Sequence, residues 1–254
     1  PFCSQTECLP ATQDIHWNHL ELAQKLGEGA SGIIHQAVWQ GSAPENVAVK
    51  LFKGAMTSDG LPHNEMAACI KAGSHPNLIP VLGRITQHPE DIPGLVMALI
   101  DADFRNLAGP PSLESCTRDV YPENSAFPLA SIFRILLGIA SAAAHLHEQG
   151  ILHGDLYAHN ILHLDEGHAL LGDFGAASFF DPTDQAQSLT LQRLEVRALA
   201  CLLQELLAYA KRQDGDEVSL AALQQLQTCC AQENIDARPT FARIVHILTN
   251  LQSP

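Results

Sequence analysis

The chain has 254 residues, enough for one large domain or two smaller lobes around a sizeable core. Its 14 basic and 28 acidic residues give a formal charge of −14, which argues against nucleic acid or an anionic membrane as the main partner. No apolar run approaches the roughly 18 residues that span a bilayer, and the first residues do not read as a signal peptide. Seven cysteines, odd in number and irregularly spaced, sit mostly inside apolar patterns, as expected of reduced thiols in a cytoplasmic protein.

In chain order, residues 1–16 hold two Cys and two Pro with little periodicity and read as an N-terminal extension. Strands are expected near 20–28, 32–40 and 46–52, then a helix near 60–73 with Glu65, Ala68, Cys69 and Ala72 on one face. His75-Pro76-Asn77-Leu78 breaks that helix, and strands follow near 79–86 and 94–99. Residues 108–127 are Pro-, Ser- and Glu-rich and are assigned no regular structure. Leu129 to Glu148 has a helical apolar face of Ile132, Ile135, Leu136, Ile139, Ala143 and Leu146, stopped by Gly150. Short strands near 161–164 and 168–171 flank the turn Asp165-Glu166-Gly167, and helices are expected near 190–209, 219–231 and 239–251.

Four motifs carry chemistry. Gly27-Glu28-Gly29-Ala30-Ser31-Gly32 is a G-x-G-x-x-G run. The β-branched and apolar stretch Ile33 to Trp39 follows, so the glycines cap a hairpin rather than open a dinucleotide-binding helix. Val47-Ala48-Val49-Lys50 places one charge at the end of an apolar strand. His153-Gly154-Asp155-Leu156-Tyr157-Ala158-His159-Asn160 reads H-x-D-L-x-x-x-N, and Asp173-Phe174-Gly175 comes thirteen residues after Asn160. A loop with a carboxylate and a carboxamide five residues apart, then a second carboxylate beyond a β-hairpin, suits phosphoryl transfer.

With these motifs in this order, the chain from about Trp17 to Leu251 resembles a protein-kinase domain, and Ala237-Arg238-Pro239-Thr240-Phe241 resembles the tyrosine-kinase-like and tyrosine-kinase branches, the former above all. The resemblance implies an α+β, bilobal protein-kinase-like fold over 17–252: a small antiparallel β-sheet lobe (17–98), a hinge (98–101) and a mainly helical larger lobe (102–252). It implies ATP and Mg²⁺ as cofactors, and a protein substrate or the chain itself as acceptor. Domains of this flavour are often attached to leucine-rich repeats, and such an attached or associated region is a suggested partner.

The resemblance also assigns roles. Gly27, Gly29 and Gly32 would cover the nucleotide phosphates; Lys50, braced by Glu65, would contact them. Asp155 would orient the acceptor hydroxyl, and Asn160 and Asp173 would hold Mg²⁺. Met97 would gate the back of the nucleotide pocket, Ala98 and Ile100 would offer backbone groups to adenine, and Ile34, Ala48 and Leu162 would sandwich its ring. His153 and Phe174 are expected to stack with Cys69 and Val81. His145 and His147 lie two apart on a helix and diverge by about 200°, which argues against a zinc site.

The chain also departs from the family. Gly154 replaces the arginine that reads a phosphate on the activation segment, so phosphorylation of Ser178, Thr183, Ser188 or Thr190 is expected to have little effect. Tyr157 replaces the lysine of serine/threonine kinases, and His159 lies where tyrosine kinases put an arginine, which points to slow chemistry. No A-P-E follows Gly175; Glu195, 20 residues on, is read as the start of the next helix, leaving Arg238 without its family partner. The short segment is expected to pack through Phe179, Phe180, Leu189 and Leu191, with Arg193 and Arg197 solvated or paired with Glu195 or Glu205. The leading reading is an ATP- and Mg²⁺-dependent protein kinase acting on Ser/Thr hydroxyls. The alternatives are a nucleotide-binding pseudokinase scaffold, or a small-molecule kinase resembling aminoglycoside and choline phosphotransferases.

Overall fold

The computed structural model describes residues 13–29, 31–41, 43–54, 61–115 and 118–252. These form two compact units: the residues up to Ser74 together with Pro80–Ile100, and His75–Ile79 together with the chain from Asp101 onward.

The first unit is a six-stranded sheet with one helix. Its elements are β1 (Gln13–His16), β2 (Leu20–Glu28), β3 (Gly32–Gln40), β4 (Pro44–Phe52), α1 (Pro62–Ala72), β5 (Val81–Thr86) and β6 (Gly94–Ala98), with strand order β1-β5-β6-β4-β3-β2. Alternation sets the faces: Val47 and Val49 join Ile15, Leu20, Ala37, Leu82 and Val96 in the core, so Ala48 and Lys50 point to the opposite face. On α1 the buried residues are Pro62, Glu65, Ala68, Cys69 and Ala72, which includes the four read as one face from spacing. Residues 13–16, assigned to the extension by sequence, form β1, which pairs parallel with β5 from Gln13↔Gly83 to His16↔Thr86. Gly83 permits this, because a Cβ there would meet the Gln13 carbonyl. Residues 1–12 of the expected extension lie outside the described residues.

The second unit contains β7 (Arg105–Asn106), β8 (Phe127–Pro128), α2 (Leu129–Glu148), β9 (Ile151–Leu152), β10 (Ile161–His163), β11 (Ala169–Leu171), β12 (Ser178–Phe179), α3 (Gln185–Ala208), β13 (Ala210–Lys211), α4 (Glu217–Cys230) and α5 (Phe241–Gln252). Helix α2 is its axis. Ile132, Ile135, Leu136, Ile139, Ala143 and Leu146 are all fully buried, and the helix packs on α5, α3, β9 and β11. Its length and apolar composition would suit a membrane span, but 67% of that window is buried inside the protein, as in a core helix. Among the described residues, Cys69, Cys201, Cys229 and Cys230 are free thiols.

Two expectations about the segment after Gly175 are corrected. The helix starts at Gln185, where the Asp184 side chain accepts the Gln187 N–H at 3.2 Å, so Glu195 lies in mid-helix rather than at its start. Phe179 and Leu189 are 45% and 40% exposed, so they are not the buried apolar anchors expected of them. From an earlier start, helical spacing turns Ser188, Glu195, Val196 and Leu199 inward instead. Phe180 and Leu191 are half-buried, and the Phe180 ring meets His147 edge-on at 6.2 Å.

Leu146 is fully buried in α2, whereas Val218 on α4 is 81% exposed. Leu146→Ala is expected to lower unfolding free energy by about 3 kcal/mol, and Val218→Ala by less than about 0.5 kcal/mol. Urea titration checks both.

Candidate active site

In the first unit the glycine run closes the β2–β3 hairpin, with Gly27 opposite Ile34 and the Gly29 N–H donating to the Gly32 carbonyl at 2.9 Å. Gly32 is required by close approach, since a Cβ there would lie 2.5 Å from the Leu51 carbonyl oxygen. Gly27 and Gly29 have open space above them, as a cover for a ligand needs. One strand over, Lys50 is buried, its ammonium ion-paired with Glu65 of α1 and 5.4 Å from the Phe52 ring centroid. Met97 lies opposite Ala48 in the β4–β6 register, and Met97, Ala98 and Ile100 are half-buried. The Ala98 N–H donates to the Pro80 carbonyl at 2.9 Å, so of its two backbone groups only the carbonyl can serve a base.

In the second unit a hairpin brings the other motifs together. Strands β10 and β11 pair as Ile161↔Leu171 to His163↔Ala169, and just beyond them the Gly172 N–H donates to the Asn160 carbonyl at 3.0 Å. Asn160 and Asp173 are thereby held at the same end of the hairpin, although thirteen residues apart in sequence. Leu162 is half-buried in β10. Buried His153 donates from Nε2 to the Gly172 carbonyl at 2.9 Å, and its ring centroid lies 5.2 Å from that of Phe174. Asp173 has φ +54°, in the left-handed region, which Asp tolerates at a cost of about 1 kcal/mol.

Asp155 is held from two sides. The Asn160 Nδ2 donates to its Oδ2 at 2.8 Å and to its carbonyl at 2.9 Å, while His159 Nε2 lies 3.5 Å from Oδ2. The hydrogen bond from His159, with help from Asn160, holds the Asp155 carboxyl below its usual range despite partial burial. The His159 ring in turn donates from Nδ1 to Asp119 Oδ1 at 2.8 Å, and its backbone N–H donates to Asp119 Oδ2 at 3.0 Å. Asp119, then Asp155, raise the His159 imidazole to about 10, so it is a cation at neutral pH. Sequence reasoning missed Asp119, which lies in the stretch 108–127. Its only local signal is one acid among polar residues, and its partner is 40 residues away.

Below this loop sits a buried carboxylate. Glu195 accepts the Gly154 N–H at 2.7 Å through Oε1 and the His147 Nε2 proton at 2.6 Å through Oε2. Burial pushes its carboxyl up, but His147 and the Gly154 N–H together outweigh that and hold it low. Gly154 has φ +80°, and a Cβ there would run into the Ala176 carbonyl oxygen. The backbone therefore excludes any side chain at the family's arginine position. Arg238 donates to the carbonyls of Gln232 (2.7 Å) and Arg193 (3.2 Å). Arg193 pairs with Asp236 and Arg197 with the Ala231 carbonyl, not with Glu195 or Glu205.

The donor set fits Mg²⁺ and a nucleotide. Asn160 spends its amide nitrogen on Asp155, which leaves its oxygen as a ligand. Asp173 uses Oδ1 for the Gly175 N–H at 3.1 Å and keeps Oδ2. Two oxygen donors with the rest supplied by water and phosphate is what this hard cation prefers. Among the described residues no three His, Cys, Asp and Glu side chains form a metal cluster, and His145 and His147 face different partners, as their spacing requires.

A family model of protein tyrosine and serine/threonine kinases matches residues 20–211. A probable serine/threonine-protein kinase of Dictyostelium discoideum is 28% identical over 70% of this chain and 10% of its own length. One from Clostridium perfringens is 26% identical over 83% of this chain and 32% of its own length. The tyrosine-protein kinase transforming protein RYK of avian retrovirus RPL30 is 28% identical over 73% of this chain and 42% of its own length. The chain thus spans less than half of each of these relatives.

Two substitutions test the buried support. Gly154→Arg is expected to lower stability by at least about 2 kcal/mol, through left-handed strain and the clash with Ala176, as read by urea unfolding. Glu195→Gln is expected to cost about 3 kcal/mol at pH 7. Because the folded pKa of Glu195 lies below its unfolded value, its ionic contribution is present above the ordinary glutamate range and is lost as pH falls through the folded value. The gap between Glu195→Gln and parent should therefore narrow on acidification.

Proposed function

We propose that this chain, which belongs to the protein tyrosine and serine/threonine kinase family, transfers the γ-phosphoryl group of ATP to serine or threonine hydroxyls of a protein, its own chain included. The observation that carries the reading is the pair of contacts on Asp155, from Asn160 and His159, which leaves a half-exposed carboxylate of fixed orientation.

In the transfer, the acceptor oxygen forms a bond to the γ-phosphorus, the bond to the bridging oxygen breaks, and the hydroxyl proton passes to the Asp155 carboxylate. A carboxyl held below its usual range is a weak base, so Asp155 acts chiefly by orienting the hydroxyl, as suits a loose transition state. Lys50, fixed by Glu65, meets phosphate charge, and the open backbone at Gly27 and Gly29 covers it. Mg²⁺, held by Asn160 and Asp173, would supply further neutralisation of that charge. In the first unit, Ile34, Ala48 and Met97, with the Ala98 carbonyl and the Ile100 backbone, would receive adenine.

ATP with Mg²⁺ is expected to raise the melting temperature, and Asp173→Ala to remove the magnesium-dependent part of that rise. Asp155→Asn is expected to lower turnover at least about 100-fold with nucleotide affinity nearly unchanged. A melting curve for the parent that does not move at millimolar ATP would sink the reading in favour of an inert scaffold.

A further inference from the structure

The segment 108–127 is more than a surface insertion. Gly109 and Val120 exchange backbone hydrogen bonds at 2.8 and 2.9 Å, and buried Tyr121 donates from its hydroxyl to Glu205 Oε2 of α3 at 3.3 Å. The Tyr121 ring stacks on Tyr209 with centroids 4.6 Å apart. On the other side of Asp119, Arg118 lies 3.8 Å from Glu205 Oε1. Asp119 is thus bracketed by two anchors on one helix residue, and its side chain is 2% exposed.

Burying a carboxylate is costly unless both oxygens are satisfied. Here a single residue satisfies them: Asp119 grips the His159 backbone N–H with one oxygen and the ring with the other. Two contacts to one residue fix both its backbone and its ring, and so fix where Nε2 points. It points at Asp155 Oδ2, the oxygen that also accepts from Asn160.

We infer that Asp119 is a positioning residue for phosphoryl transfer: it clamps His159 so that the imidazole N–H stands against Asp155, in place of the basic residue that family members carry in this loop. The inference rests on the kinase reading above. It makes the insertion, anchored on Glu205 and Tyr209, a working part of the catalytic loop.

The test combines kinetics and NMR on the whole chain, with ATP labelled on its γ-phosphate and casein or the chain itself as acceptor. Asp119→Asn should lower kcat about 10- to 100-fold with KM for ATP unchanged. It should also abolish the downfield proton resonance of His159 Nδ1, observed without nucleotide and assigned by its loss in His159→Gln. His159→Gln should show the same kcat loss, and adding Asp119→Asn to it should cost less than twofold more, because the two act through one contact. A merely structural Asp119 would instead add a loss of its own. If Asp119→Asn does not fold, as judged by its NMR spectrum, His159→Gln alone decides, and a kcat within twofold of parent overturns the inference. If the parent transfers label and Asp119→Asn keeps its kcat, the kinase reading stands and the role of Asp119 falls. If the parent transfers no label at all, the kinase reading fails and takes this role with it.

Discussion

The second unit is organised around one expensive object, the ionised carboxylate of Glu195 inside the protein. Removing a carboxylate from water is unfavourable by several kcal/mol unless donors surround it. The chain brings them from two places: His147 from the last turn of α2 and the N–H of Gly154 from the loop that follows. Each donor constrains its own element. His147 must end the helix facing α3, and Gly154 must adopt a left-handed backbone to aim its N–H inward. The positions of Asp155, His159 and Asn160 follow from that, because they leave the loop directly after its fixed point.

The first unit rests on a smaller version of the same rule. Lys50 and Glu65 pair on the side of β4 opposite the apolar core, and the pairing offsets the cost of burying both charges. A buried pair contributes little net stability against an apolar substitute. The pair is therefore better understood as keeping an ammonium at a defined place than as holding the sheet together.

Much of this was legible in the sequence, for local reasons. Helix α2 announces itself by apolar period and a glycine stop, and its limits agree with the spacing residue for residue. The inward face of α1 and the β2–β3 hairpin were equally plain. Two of the features that escaped share a cause: long-range partners leave no local pattern. Strand β1 is four residues whose reason to be extended is β5, some seventy positions later. The start of α3 is hidden for a local reason, an Asp184 cap inside a polar run; from that start Ser188 is buried, while Leu189, expected as an anchor, is exposed. Asp119 is unremarkable in its own neighbourhood; only His159, met through folding, gives it meaning. Conversely, the glycine at 154 read as a lost arginine, and the backbone adds that no side chain fits there.

The attachment of the 108–127 stretch to His159 has a thermodynamic consequence. Its outer part, Ser112 to Glu114, is exposed, with the serine contact between Ser112 and Ser115 local to the turn, and exposed turns of this kind open more readily than buried helices. Opening that reaches Asp119 removes both contacts on His159 together, and the catalytic loop inherits the opening equilibrium of the stretch that grips it. An opening free energy of about 1.4 kcal/mol would leave the loop ungripped roughly a tenth of the time. Warming that opens this stretch would then loosen the grip on His159 while the helices remain intact.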